Sequence, residues 1–493
     1  VLIALLCGAA SGQTLARKGW VGSGITVETW WEGAVLYQID PVSFQDSDGD
    51  GFGDLKGIVA RLDYLQTLGV DAIVLSPFQL ELGFVRTGSG PPFDPRLGSE
   101  DDLNALIQEA TRHRMRIFVD LPLSSASTTQ ELSNSARFWL GRGVAGLRLI
   151  GDTTGAHSGN TGPIHPALVP AQIDERLHAL RTLCASFAGQ RVLLWDMPDP
   201  PPGAVETTTY RHHRAVHTST TVDGPQMVVD RRLMSMAHLT PSDLRGTLTA
   251  EPAHNATPVP ISDANGHPRS FDRLGDGAHD VPLAKLLAAA LLAGRGAPLL
   301  YFGQEIGMAT TPATGDVDPT PMQWGGEDGF TSGVAWIDMG RNAATENVAL
   351  EDADAFSLLN WYRRLSALRH ANAALREGSL DLLDETNPDL VAWLRRPQAS
   401  GTSTPPVLVV CNLTNHPEVM SLGAELRRIG VQTGSGMMHT LAASTLAVSS
   451  DAALGSVSVN HIELPPYGVY IGELTPQPGL ENTPSPLRRR GSR

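Results

Sequence analysis

The sequence predicts an α/β chain, a closed (β/α)8 barrel followed by a smaller antiparallel β domain. Three observations carry this. From about residue 34, short apolar runs alternate with amphipathic helical runs, as in parallel βα units. The runs that read as strands sum to eight. Beyond the helical run 356–372 only short strands follow.

Six strands read clearly, at 34–40, 71–77, 116–123, 146–151, 191–198 and 297–303. Two weaker ones fall near 225–230 and 257–264. Helices with apolar residues every three to four positions lie between them, at 53–69, 99–114, 129–143, 172–189 and 281–296. An open doubly wound sheet is the alternative, but no glycine-rich dinucleotide fingerprint follows the first strand. The pattern divides the chain into a leading segment 1–29, a barrel 30–376, a β domain 377–475 and a Pro-rich polar tail 476–493, the last expected to be disordered. A length of 493 residues suits a large barrel plus one further domain.

The formal net charge of -15 and a pI near 5.4 argue against nucleic acid as a partner, because phosphate neutralisation needs clustered Lys and Arg. Three scattered cysteines, Cys7, Cys184 and Cys411, make neither a disulfide scaffold nor a zinc site, and Cys184 and Cys411 read as buried thiols. The opening run VLIALLCGAASG is too short to span a bilayer, which takes about 20 apolar residues. It reads as the exit end of a membrane helix or as part of a signal peptide, and both put the rest of the chain outside the cytosol. The sequons at Asn255 and Asn412 agree with a secretory route and are candidate glycosylation sites.

Several side chains stand out. Arg148 interrupts an apolar strand, where a charge needs a partner; Asp120 and Asp152 are the candidates. The loop DSDGDGFGD sets Asp46, Asp48, Asp50 and Asp54 around glycines that let a tight turn aim several oxygens inward, which suits calcium as a structural ion. His212, His213 and His217 follow a helix-breaking proline run and read as a solvated loop. Trp30 and Trp31 precede the first strand and pack on the barrel base or face a partner.

The phrases LYQIDPVSFQDSDGDGFGDLKGIVARLDYLQTLGVDAIVLSPF, GAPLLYFGQEIGM and PMQWGGEDGFTSGVAW together resemble the α-amylase superfamily, glycoside hydrolase family 13, in its oligo-glucosidase branch. The resemblance implies a retaining pair of carboxyl groups at the C-terminal ends of barrel strands. It adds the carbonyl of Phe52 to the calcium ligands and gives Glu305 a structural place near the rim of the site. It also assigns positions at which this sequence departs. The nucleophile's place after the fourth strand holds Ile150, two residues beyond the arginine Arg148. The general acid's place holds Asp196, preceded by Trp195, and the third acid's place holds Gly266, flanked by Ala264, Asn265 and Arg269. Ser124 and Ser125 replace an Asn-His pair, and the inserted segment after the third strand is reduced to a few residues.

A barrel of this family with its acids lost and a membrane or secretory start is similar to the heavy subunit of heteromeric amino-acid transporters, the cell-surface antigen heavy chain type. That resemblance implies a non-catalytic extracellular domain of a single-pass type II membrane glycoprotein on the cell membrane. Such a domain stabilises a multi-spanning transporter light chain, with Cys7 as candidate for an intersubunit disulfide. The alternative is a secreted or membrane-bound α-glucosidase with an altered acid set, such as Asp152 and Asp196.

Overall fold

In a strand, residues two apart face the same side, so the register of neighbouring strands fixes what lines a barrel. The computed structural model describes residues 29–76, 94–123, 128–151, 170–196, 224–249, 256–310, 319–325, 329–397, 404–431, 436–445 and 455–474. Its first sheet has eight strands: β1 (Leu36–Ile39), β2 (Ala72–Leu75), β3 (Arg116–Leu123), β4 (Gly146–Gly151), β5 (Val192–Asp196), β6 (Met227–Asp230), β7 (Thr257–Pro260) and β8 (Leu299–Tyr301). They run in the order β7-β6-β5-β4-β3-β2-β1-β8, and the neighbouring pairs are parallel. The fold is the (β/α)8 barrel that the alternating runs predict, with both weaker strands, β6 and β7, in place.

The ladder is incomplete between β7 and β8 for a covalent reason. Thr257 and Ile261 donate their N–H groups toward β6, so the alternate positions, Pro258 and Pro260, face β8. Proline has no N–H to give. A hydrogen bond from Ala297 N to Pro258 O, at 2.9 Å, joins the two sides.

Register shows which side chains point to the barrel axis. Leu36, Val74, Phe118, Val192, Leu194, Met227, Val259 and Leu299 form one buried apolar cluster inside the barrel. Phe118 fits because its partner on β4 is Gly146, where a Cβ would stand 2.1 Å from the phenyl ring. The larger cluster lies outside the strands, against the helices. Trp30 and Trp31 pack on the interior cluster, and Trp30 makes an edge contact with Phe118 at 6.0 Å, so they plug the barrel base. The predicted helix 53–69 is two segments, Leu55–Ala60 and Leu62–Leu68, separated at Arg61. Arg61 leaves the helical line to donate to Gln45 and stack on Trp324.

The second unit is antiparallel. β9 (Ser379–Leu383), β10 (Leu390–Arg396), β11 (Val407–Asn412), β16 (Val469–Leu474), β13 (Met437–Ala443) and β14 (Ser456–Ser458) form one sheet, and β12 (Glu418–Met420) pairs with β15 (Ile462–Leu464). Cys184 and Cys411 are buried and unpaired; burial pushes the Cys184 thiol up to about 11. Asn412 is 0 % exposed, its amide donates to the carbonyls of His416 and Pro465, and its oxygen accepts from Thr414 N–H and hydroxyl. This corrects the expectation of a glycan at Asn412: the sequon's own threonine locks the amide inside the fold. Asn255, Cys7 and the three histidines near 212–217 lie outside the described residues.

One buried arginine, Arg395 of β10, docks this sheet onto the barrel, and a second, Arg369, ties elements of the barrel unit to one another. Arg395 donates to the carbonyls of Ala293, Gly294 and Gly378, and Arg369 to those of Gly33, Leu292, Leu375 and Gly296. Several of these are the orphan carbonyls at the C-terminal end of the helix Asp280–Leu292, where a positive charge is favoured. Burial lowers the pKa to about 10 at Arg369 and to about 9 at Arg395. Replacing Arg395 by Met strands three acceptors, and at roughly 1 kcal/mol or more for each the variant should lose about 3 kcal/mol, read as a lower urea midpoint.

Glu351 gives a pH test of the same region. Burial pushes its carboxyl up to about 8, with Glu346 and Glu305 adding to the rise, although Leu359 N–H donates to it at 2.8 Å. The folded pKa lies above the unfolded one, so its contribution is fully present below about 4.5 and lost as pH rises to about 8. Melting temperature should fall across that window, with a slope of up to ~1.4 kcal/mol per pH unit. Glu351→Gln keeps the acceptor and should flatten the slope.

Candidate active site

The charged residues of the barrel interior gather at the C-terminal ends of the strands, where the chemistry of such barrels sits. Arg148 of β4 is paired in register with Asp120 of β3, so both point to the axis. Arg148 Nε donates to Asp120 Oδ1 at 2.7 Å and Nη2 to Asp120 Oδ2 at 2.9 Å, a bidentate fork. Nη1 donates to Gln38 Oε1 of β1 at 2.8 Å and lies 3.4 Å from Asp196 Oδ2 of β5. Burial alone would lower the pKa of this guanidinium, but the charges and hydrogen bond of Asp120 and the charge of Asp196 outweigh it and raise it.

Asp196 also pairs with Arg231, which follows β6. Its register partner is Ile150, so the residue in the nucleophile's place and the carboxyl in the acid's place stand side by side on neighbouring strands. Gly266 has a left-handed φ of 76°, a conformation that favours glycine. A carboxylate does stand in the same turn: Asp263, buried, accepts from Ser270 N–H and the Ser262 hydroxyl at 2.6 Å each. Neither Asp263 nor Arg231 was among the sequence candidates. The signal for Asp263 was its place just past the C-terminal end of β7.

Tyr301 closes β8 in register with Gln38, which places its ring on the axis side. Asp40, Asp263, Arg148 and Arg269 all act on its phenol electrostatically. Glu305 belongs elsewhere. It is fully buried and accepts from Tyr37 at 2.7 Å and Tyr64 at 2.6 Å. Tyr37 is an outward-facing residue of β1, so Glu305 ties strand to helix outside the barrel. Burial, the largest cause, raises its pKa. Asp152, Ser124 and Ser125 lie outside the described residues.

The acidic loop brings Asp46, Asp48 and Asp50 together, one oxygen of each within 4.8 Å of the others, the spacing of oxygens around one cation. Asp46 is fixed by N–H groups of Asp48, Gly49 and Gly51 and by the Thr331 hydroxyl. Burial works against its charge, but these bonds outweigh it and lower the pKa. Asp54 is engaged differently, capping the helix Leu55–Ala60 through Gly57 N–H at 2.7 Å and holding Ser47.

The family model described as alpha amylase, catalytic domain, matches residues 38–131 and 248–378. The match breaks across 132–247, which carries β4, β5 and β6. Among curated proteins, the chain is 27% identical to trehalose-6-phosphate hydrolase of Escherichia coli (strain K12), over 80% of this chain and 92% of that protein. It is 26% identical to a probable oligo-1,6-glucosidase 2 of Bacillus subtilis (strain 168), over 74% of this chain and 88% of that one. Among solved structures it is similar to the trehalulose synthase MutB of Pseudomonas mesoacidophila MX-45, with a TM-score of 0.68 and 21% identity over 91% of this chain and 100% of that one.

These findings correct the sequence reading of function. Relatives spanning most of the chain are named for sugar hydrolysis, which overturns the expectation of a non-catalytic transporter subunit with a light-chain partner. With it goes the expectation of a type II membrane protein; no helix among the described residues is long and apolar enough to cross a membrane. The lost acids suggested a heavy chain because loss at matched positions says what is missing and nothing about what the barrel is descended from or does. With its parallel barrel, its antiparallel C-terminal domain and the catalytic-domain match on both sides of the central strands, the chain is similar to the α-amylase superfamily over residues 38–131 and 248–378.

Proposed function

We propose that the protein hydrolyses α-glucosides at the C-terminal mouth of its barrel, with Asp196 as a reacting carboxyl group. The observation that carries this is the position of Asp196, at the end of β5, beside Ile150 and held by Arg148 and Arg231. The hydrolase and glucosidase names of the relatives support the substrate class.

Ile150 cannot form a glycosyl ester, so water supplies the attacking oxygen. It adds to the anomeric carbon from the face opposite the leaving oxygen while that bond breaks. One carboxyl group gives a proton to the leaving oxygen, and a carboxylate takes one from the water. Asp196 is one of the pair; Asp152, two residues past Ile150 in sequence, supplies the other. Such a displacement inverts the anomeric centre. Arg148, forked to Asp120, is the positioning residue that keeps Asp196 oriented.

Maltose and isomaltose should release glucose, with the β anomer appearing first by NMR. Asp196→Asn should lower kcat/KM on the order of 100-fold or more. No glucose release by the wild type, or an unchanged rate in Asp196→Asn, overturns the reading.

The loop of Asp46, Asp48 and Asp50, with the Phe52 carbonyl, is proposed to hold calcium as a structural ion that braces the segment before the helix Leu55–Ala60. Added calcium should raise the melting temperature by a few degrees, and Asp48→Asn with Asp50→Asn should abolish the shift. An identical melting curve with calcium and with chelator counts against it.

A further inference from the structure

Two buried polar groups at the mouth have no hydrogen-bond partner among the described residues. Tyr301 is 3 % exposed and Arg269 5 %, and neither Tyr301 Oη nor Arg269 Nη2 is hydrogen-bonded there. The rest of Arg269 is firmly held. Its Nη1 donates to the Phe302 carbonyl, its backbone N–H donates to Thr310 Oγ1 at 2.7 Å, and its guanidinium carbon lies 4.4 Å from the centre of the Tyr301 ring. The two unpartnered groups therefore belong to one rigid unit. A buried polar group without a partner costs about 1–3 kcal/mol, and few persist in folded proteins without a role.

We propose that Tyr301 and Arg269 form a specificity socket for a hydroxyl group of a neutral sugar. The proposal rests on the α-glucoside reading and narrows its substrate class. Arg269 offers a donor and the phenol offers a donor and an acceptor, a set that a hydroxyl can meet. An anion is the other ligand that such donors take, and the local charges decide between them. Asp40 and Asp263 both act on the phenol. Arg148 is already matched by Asp120 and Asp196. Asp40 and Asp263 act on the same phenol on which Arg269 stacks, so a phosphate brought against that hydroxyl meets their negative charge. The socket selects unphosphorylated sugars, unlike the phosphorylated one in the name of the Escherichia coli relative.

The test compares the whole chain with Tyr301→Phe, using maltose, trehalose and trehalose 6-phosphate as probes in calorimetric titration, and melting of each protein without sugar. Wild type should bind at least one neutral disaccharide at least tenfold more tightly than trehalose 6-phosphate. Tyr301→Phe should weaken that binding tenfold or more while the sugar-free protein melts at the same temperature or higher, because an unpaired hydroxyl has been removed. Arg269→Lys, which keeps the charge and loses the fork, should also weaken binding. Unchanged binding in Tyr301→Phe, a lower melting temperature of the sugar-free variant, or preference for the phosphorylated sugar overturns the socket alone. Failure of the wild type to bind any of the three overturns the socket together with the α-glucoside reading.

Discussion

The fork between Arg148 and Asp120 is the constraint around which the mouth of the barrel is arranged. Taking both charges out of water costs several kcal/mol, and that cost is offset only if the geometry is close and the remaining N–H groups find acceptors. Both conditions are met: two parallel hydrogen bonds to Asp120, one to Gln38 and a contact with Asp196. The four residues come from β1, β3, β4 and β5, so one guanidinium fixes the relative height of strands that are far apart in sequence. Arg231 extends the network to the end of β6. Polar specificity at the top of the barrel sits on an apolar plug below, and Gly146 makes that plug possible by yielding its volume to Phe118.

Much of the architecture was legible because it depends on periodicity. Strand positions, helix faces and the change to antiparallel pairing all follow from local patterns that a single sequence displays. The place of Ile150 beside Asp196 was also readable, since both lie at strand ends that the motifs mark. The partners of those residues were harder. Asp120 was one of two candidates for Arg148, and the choice rested on register between strands, which a separation of 28 positions conceals. Asp263 and Arg231 carry no motif, Tyr301 lies within GAPLLYFGQEIGM with nothing in the phrase to single it out, and their place is set by which face of a strand end they occupy.

The functional reading failed at a different step. Missing acids at matched positions are a statement about three side chains, whereas the kinship of the chain is carried by several hundred. Asn412 shows the same gap on a smaller scale. Its triplet satisfies a sequence rule, yet the carbonyls of Pro465 and His416 take up its amide, and a rule about three residues has no access to contacts made 53 positions away.

The prolines of β7 have a consequence for the shape of the mouth. Closed barrels resist changes in girth because every strand is laddered on both sides. Here one boundary, between β7 and β8, carries a hydrogen bond from Ala297 to Pro258, while the prolines of β7 offer no donor across it. Asp263 lies just past β7 and Tyr301 ends β8, so the two sit on opposite sides of this seam. A small widening there alters the gap between them without unzipping a sheet, which makes the seam the natural place for the barrel to adjust its circumference to what enters it.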